Sequence, residues 1–513
     1  MVIKTLLEEM WLPGRERRKE MRLAEFDEKW YLSTYPDIAA EVSAGRLESG
    51  RFHYIRYGFK EGRMPFPGAT TKNPEILKVT ESGAVLFGGW VKDLPHPLVG
   101  IEIDNIVSFN VLVRQRRDDV ARLLNESVTG NHGVWSFVAP DSTLAGTIRD
   151  NSDQIINWVL EGQSKEQSKL SATLISDLQM RTTVLEMLAL TFANGTTPAV
   201  VLKALGAGIG KEILTLNREL LRGGKEPTVS RFNSLSHRKI TRSQITCLYG
   251  TPELLSLQIA LFSKSIGIDE TEFIFINNSP ETSEYLEREA KQAARLYDAS
   301  ITLLHAETNL GFGAANNIGA SFAGSNRLLF VNPDVLPMQP DWIVKHDEFA
   351  ASDFGRIFGA CLYYDDGSVM HAGMYFENDR PRDKASVVDW LRIEHYAKGF
   401  PEWVAEARKT RMVPAVTGAF ISIDRSHFEN LGGFDEDYIF GNYEDADLCL
   451  TSTEKNCPAW YCADIHLWHM EGKGSSARSQ AQHGASQLNR WLFTQRWASK
   501  LRDDPRLTPS NPL

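Results

Sequence analysis

Apolar and polar residues change rhythm several times along the chain. From about residue 241, short continuous apolar runs alternate with amphipathic ones: QITCLYG then ELLSLQIALFSKSI, EFIFINNSPE then ETSEYLEREAKQAARLY, ITLLHAETNLGFG then AANNIGASFAG, and finally RLLFVNPDV. The first member of each pair is short, apolar throughout and closed by Gly, Asn or Pro, so it predicts a buried strand; the second predicts a helix. Strand and helix in alternation predict an α/β domain over 241–500, built on a doubly wound, mostly parallel sheet. Upstream, AVLFGGWV, LVGIEI, IVSFNVLV and GVWSFVAP are short runs separated by Gly, Pro, Asn and Asp. They predict a β-sandwich-like domain over 71–148. IINWVL, LISDLQM, VLEMLAL and EILTLNRELL, followed by the polar GGKEPTVSRFNSLSHRK, predict a helical region and linker over 149–240. A helical module over 1–70, rich in aromatic residues and turn glycines, opens the chain, and a tail over 501–513 closes it.

Composition narrows the function classes. The 513 residues are 42% hydrophobic, enough for several cores. Acidic groups outnumber basic ones, 66 to 56, for a formal charge of -10, which predicts no nucleic-acid partner. No run of about 18 apolar residues is present, and MVIKTLLEEMWLPGRERRKEMR lacks a secretory apolar core, so the expected compartment is the cytoplasm. Leu6, Leu7 and Trp11 precede Arg15, Arg17, Arg18 and Lys19, which leaves a peripheral contact with an anionic membrane face as the alternative to a solvated helix. Five cysteines, an odd and small number, read as reduced thiols.

In doubly wound sheets ligands bind beyond the carboxyl ends of the strands. That edge holds Tyr249, Thr251 and Glu253 after the first strand, Asn277 and Asn278 after the second, Gly311, Phe312 and Asn316 after the third, and Asn332 and Asp334 after the fourth. Pro333 ends the last ladder, so Asp334 emerges as a lone carboxylate suited, with diphosphate oxygens, to Mg²⁺ or Mn²⁺. Gly311 and Gly313 precede a helix and would let backbone approach an anionic ligand. Neither GxGxxG nor GxxxxGK[ST] is present. Further on, Glu444, Asp445 and Asp447 fall in the first turn of a predicted helix, where the helix dipole alone favours carboxylates. Gly432, Gly433 and Gly441 give the preceding loop the freedom to approach a substrate.

Taken in order, INNSPE, TNLGFGAANNIG, FVNPDV, VTGAFISIDRSHFENLGGFDEDY and YEDADLCL resemble family 2 inverting glycosyltransferases of the GT-A fold, of the rhamnosyltransferase-like type that builds bacterial cell-surface polysaccharide. The resemblance covers about residues 243–475. It implies Asp445 as general base with Glu444 beside it, the edge residues above as donor contacts, and Thr417, Gly418, His371 and His395 on the acceptor side. It implies Asp334 and His469 as ligands of Mg²⁺ or Mn²⁺, with His466 the competing choice. The implied partners are a nucleotide-sugar donor, dTDP-rhamnose or a UDP-sugar, and a glycan or glycolipid acceptor; self-association and polysaccharide-assembly partners stay open. In the N-terminal module, Tyr31-Leu32, Pro36-Asp37, His53-Tyr54, Tyr57-Gly58 and Glu61-Gly62-Arg63 resemble a short helical unit attached to many bacterial polysaccharide glycosyltransferases, with His53 as a packing residue. Two positions depart from the family pattern. Asn277 stands where an aspartate usually contacts the nucleoside, and Thr451 where a basic residue is frequent, with Lys473 and Arg478 as substitutes. The competing readings are a non-catalytic glycan-binding scaffold, a glycoside hydrolase, a nucleotidyltransferase on the same fold and a zinc site of Cys449, Cys457, Cys462 and His466. Adjacent Glu444 and Asp445 do not suit the hydrolase, and the absence of a CxxC pair counts against the zinc.

Overall fold

The computed structural model describes residues 26–58, 72–92, 97–123, 130–162, 165–233, 239–379, 389–474 and 479–503. The basic N-terminal segment, Glu61-Gly62-Arg63, Arg478 and the end of the tail lie outside the described residues. Among the described residues no helix is long and apolar enough to cross a membrane. The chain forms two compact units, Met1–Leu216 and Asn217–Leu513.

In the first unit, helices Glu28–Thr34, Pro36–Ser43 and Gly50–His53 close on Tyr31, Ile38 and Tyr54, and the Tyr31 hydroxyl meets His53 Nδ1 at 3.0 Å. A five-stranded and a four-stranded sheet follow and share one core, in which Phe87 packs edge-on to Trp158. The sandwich runs further than 148. IINWVL, expected to be helical, lies in strand Asp153–Leu160, because Gln154, Ile156, Trp158 and Leu160 are buried at every second position. Strands Glu166–Ser171 and Thr173–Leu174 complete the sheets. Within the region expected to be helical, helix starts at Asp177–Ala193, where Ser176 and Gln179 form a capping box.

The second unit is built on an eleven-stranded sheet. Its strands are β1 (Thr228–Phe232), β2 (Arg242–Leu248), β3 (Thr271–Asn277), β4 (Ser300–His305), β5 (Arg327–Val331), β6 (Val335–Pro337), β7 (Ile357–Tyr363), β8 (Val369–His371), β11 (Arg411–Met412), β12 (Phe420–Asp424) and β13 (Trp460–His469); β9 (Met374–Asn378) and β10 (Leu391–His395) form a separate hairpin. The main path runs β1-β4-β3-β2-β5-β12-β7-β13-β6. The block β4-β3-β2-β5 is parallel, as the alternation predicts, and beyond it β12 enters antiparallel on β5. Thus the parallel half is the one with helical crossovers, and the other half is mixed. β1, expected in a linker, is an edge strand on β4.

Continuous apolar strands are explained by cores on both faces. Ile274 and Ile276 of β3 face one core, and Phe273 and Phe275 the other. Helices α1 (Leu254–Phe262), α2 (Ser283–Tyr297) and α4 (Trp342–Ala350) bury Ile259, Leu286, Ala290 and Trp342 in the second core. Helices α3 (Phe312–Ser321), α5 (Arg425–Leu431), α6 (Glu444–Glu454) and α7 (Gln480–Asp503) cover the first with Ala315, Phe428, Leu448 and Trp497. Because β5 and β12 run opposite ways, Val331 pairs with Phe420 and the Asn332 N–H donates to the Ala419 carbonyl (2.9 Å). The residues leaving β5 and those entering β12 therefore share one edge.

Candidate active site

A cavity of about 670 Å³ opens at that edge. Tyr249, Asn278, Asn309 and Asn332 reach it from the ends of the parallel strands, Thr417 to Ala419 from the start of β12, and Glu444 and Asp445 from the first turn of α6. Asp334 and His469 line it together, because Val335 of β6 is in register with His469 of β13 and the Met470 N–H donates to the Asp334 carbonyl (3.0 Å). The arrangement joins the two ends of the sequence pattern in one cleft.

The Asp334 carboxylate has two unlike oxygens. Oδ2 accepts the Gly474 N–H at 2.7 Å, and a Cβ at Gly474 would stand within 3 Å of that carboxylate. Oδ1 is buried with no hydrogen-bond partner among the described residues and lies 3.4 Å from His469 Nε2. On the far side of the ring, His469 Nδ1 faces the Met370 thioether at 3.5 Å. An unpartnered carboxylate oxygen beside an imidazole nitrogen fits two ligands of a hard divalent ion. Among the described residues no group of three or more His, Cys, Asp or Glu is placed to hold a metal, which leaves the four-ligand zinc reading without a site. His466 points elsewhere, to Gln339 and the Ala463 carbonyl.

The three carboxylates at the start of α6 part company. Asp445 Oδ2 accepts the Gly418 N–H at 2.7 Å and Oδ1 the Ala446 N–H at 2.8 Å. Burial raises its pKa, and these backbone donors oppose the rise. Glu444 is 5% exposed, and its Oε2 has no partner among the described residues. Burial first, and then Asp445 next to it, push the Glu444 carboxyl well above the usual range. Of the pair, Glu444 is pushed further toward its protonated form, and the backbone donors on Asp445 favour its charged form. Asp447 turns away and accepts from the Tyr438 hydroxyl (3.0 Å), Trp497 Nε1 (2.7 Å) and Arg496 (2.8 Å), so it fastens α6 to α7.

Other predicted contacts stand behind the cavity wall. Asn277 is fully buried and makes a side-chain turn, accepting the Ser279 N–H and the Thr282 hydroxyl, each at 3.0 Å. Thr251 donates to the Gly474 carbonyl (3.0 Å), Asn316 bonds back to the Phe312 carbonyl (2.9 Å), and Glu253 is exposed on the first turn before α1. None of these side chains lines the cavity, whereas Phe312 does. Gly311, at φ +87°, is needed for chain against chain: a Cβ there would meet the Phe440 backbone at 2.9 Å. Gly432 and Gly433 cap α5 in left-handed conformations and do not line the cavity; Gly441 does. His395 reaches the cavity and His371 lies behind it. Met370, Met374, Ile393, Glu471, Gln482 and Ser486 also line it, and no local motif in the sequence marks them.

No protein-family model matches the sequence. The chain is 26% identical over 233 residues to the O-antigen biosynthesis protein RfbC of Myxococcus xanthus, covering 44% of this chain and 17% of that protein. It is 26% identical over 166 residues to the rhamnosyltransferase WbbL of Escherichia coli, covering 31% of this chain and 60% of that one. The chain is similar to rhamnosyltransferase-like glycosyltransferases. It matches less than two thirds of either relative's length. Among solved structures, GalNAc-T7 with UDP, GalNAc and Mn²⁺ aligns with a TM-score of 0.39 at 13% identity, over 52% of this chain and 50% of that one.

Proposed function

We propose that the second unit transfers a sugar from a nucleotide diphosphate donor to a hydroxyl of a glycan or glycolipid acceptor, with inversion at the anomeric carbon. One observation carries the reading: the Asp334–His469 pair and the Glu444–Asp445 pair line a single cavity. The sequence similarity to RfbC and WbbL, whose names speak of O-antigen biosynthesis and rhamnosyl transfer, supports the same class of reaction.

In this reading the donor lies across the ends of the parallel strands, against Tyr249, Asn309 and Asn332, while Asn278 braces the loop after β4 by accepting the Leu310 N–H and donating to Asn309 Oδ1 and the Gly311 carbonyl. Asp334 and His469 would hold Mg²⁺ or Mn²⁺, which when bound supplies positive charge to the departing diphosphate. Asp445 is held in place through both carboxylate oxygens, so its orientation is set before an acceptor arrives. It takes the proton of the attacking hydroxyl as that oxygen bonds to the anomeric carbon, while the sugar–phosphate bond breaks and the electron pair leaves with the diphosphate. Protonated Glu444 beside it adds no second negative charge and keeps a hydrogen-bond donor for the acceptor. A panel of nucleotide sugars, dTDP-rhamnose and UDP-sugars among them, incubated with Mn²⁺ and lipid-linked or free glycans, tests the reading. Transfer of one sugar with inverted configuration is the expected result, and a chain that binds glycan but turns over no nucleotide sugar overturns it.

A further inference from the structure

His371 and His395 meet Nδ1 to Nδ1 at 2.9 Å, and no step described above uses either. Their protons can be assigned from the neighbours. The Gly373 N–H donates to His371 Nε2 at 3.2 Å, so that nitrogen presents its lone pair and the ring proton of neutral His371 sits on Nδ1. Nδ1–H then donates to His395 Nδ1, which places the proton of His395 on Nε2. His371 is fully buried, while His395 is among the residues lining the cavity, and no hydrogen bond to its Nε2 is found among the described residues. Burial, then the neighbouring His395, hold His371 well below the ordinary imidazole range, and burial brings His395 down to about 4, so both rings are neutral near pH 7.

We propose that His371 and His395 are a fixed-tautomer pair through which His395 Nε2–H donates a hydrogen bond to a hydroxyl oxygen of the acceptor sugar, an assignment that rests on the transferase reading above. His395 ends β10, and it shares the hairpin's contribution to the cavity with Met374 of β9 and Ile393 of β10. Two apolar side chains and an uncharged donor suit the edge of a sugar ring rather than a charged phosphate. The proton on Nε2 also leaves His395 no lone pair toward the cavity, so it is not a third metal ligand. His371 touches no substrate and is a positioning residue.

The test uses the full chain with ¹⁵N-labelled histidine rings, alongside steady-state kinetics. His395 should show the neutral, Nε2-protonated signature at pH 7, and His371→Leu should convert it to a mixture of tautomers. His395→Ala should raise the acceptor KM about threefold to tenfold, the effect of one lost neutral hydrogen bond, with donor KM within about twofold. His395→Gln, which keeps an N–H donor, should recover part of that loss. An Nδ1-protonated or cationic His395 in the wild type, or an unchanged acceptor KM in His395→Ala, overturns the proposal. If the wild-type chain transfers no sugar, the acceptor assignment falls with the transferase reading, and the ring signatures still decide for or against the pair itself.

Discussion

At the scale of single residues, two neighbours of the same chemistry have been given opposite jobs by their surroundings. Asp445 has a backbone N–H on each oxygen, and Glu444 is buried with an oxygen that no hydrogen bond reaches among the described residues. The consequence for stability follows from linkage. Glu444 has a folded pKa raised above its unfolded one, so between those two values the native state binds more protons and stability falls as pH rises. Replacing Glu444 by Gln removes the ionisable carboxyl, and with it the cost of keeping that group protonated in the fold above the unfolded carboxylate range. The variant is expected to melt a few degrees above the wild type at pH 8, and the gap should close as pH falls toward about 4.5, near the unfolded carboxylate value. Thermal scans of both proteins across that range check this; a variant less stable than the wild type at pH 8 contradicts it. Asp445→Asn keeps the size of the side chain and removes the base, so kcat should fall by about 10² to 10⁴ while donor affinity changes little, as measured by initial rates and calorimetric titration of the nucleotide sugar.

At the scale of elements, the loop entering α6 is the part that local preference opposes. Phe440, Gly441, Asn442 and Tyr443 all have positive φ, at 64°, 137°, 79° and 78°. Three of the four have side chains, and each such residue costs about 1–3 kcal/mol unless its surroundings impose the conformation. Asn489 of α7 imposes it. Fully buried, it accepts the Ile439 N–H (3.0 Å) and donates to the carbonyls of Ile439 (3.0 Å), Gly441 (2.8 Å) and, at longer range, Asn442 (3.3 Å). Phe312 N–H holds the Phe440 carbonyl from the other side (3.0 Å). Asn489→Ala should therefore destabilise the second unit by about 2–3 kcal/mol, the cost of unpaired buried backbone groups, and lower kcat by roughly tenfold or more through a displaced Asp445; denaturant melts and initial rates test both. The same loop marks the limit of what could be read from sequence. Strands β2 to β5 and the carboxylate at 334 follow from apolar runs and one proline. By contrast Asn489 lies 44 positions beyond Asp445 in a helix with no local motif, and Met370, Met374 and Ile393 enter the cavity only because β8 and the β9–β10 hairpin are folded back on it. Asn277 was misplaced for a related reason: being at the strand's carboxyl end is necessary for lining the cleft, but a side-chain turn bends this one inward. In the first unit, IINWVL misled because a six-residue apolar run carries no period long enough to separate strand from helix.

At the scale of the whole molecule, each unit has its own apolar core: Phe87, Phe109 and Trp158 in the first, and two clusters flanking the large sheet in the second. Every residue of the proposed site belongs to the second. A ligand that binds only there stabilises only what unfolds with it, by about 2.7 kcal/mol at a hundred times its Kd. Scanning calorimetry of the full chain is therefore expected to show two transitions, and a matching nucleotide sugar with Mn²⁺ should move one of them upward by several degrees and leave the other in place. Asp334→Asn should remove the Mn²⁺-dependent part of that shift, since the substituted side chain no longer brings a carboxylate to His469. A single transition that moves as a whole would mean that the two cores unfold cooperatively. An Mn²⁺-dependent shift undiminished in Asp334→Asn would place the metal outside the pair formed by residues 334 and 469.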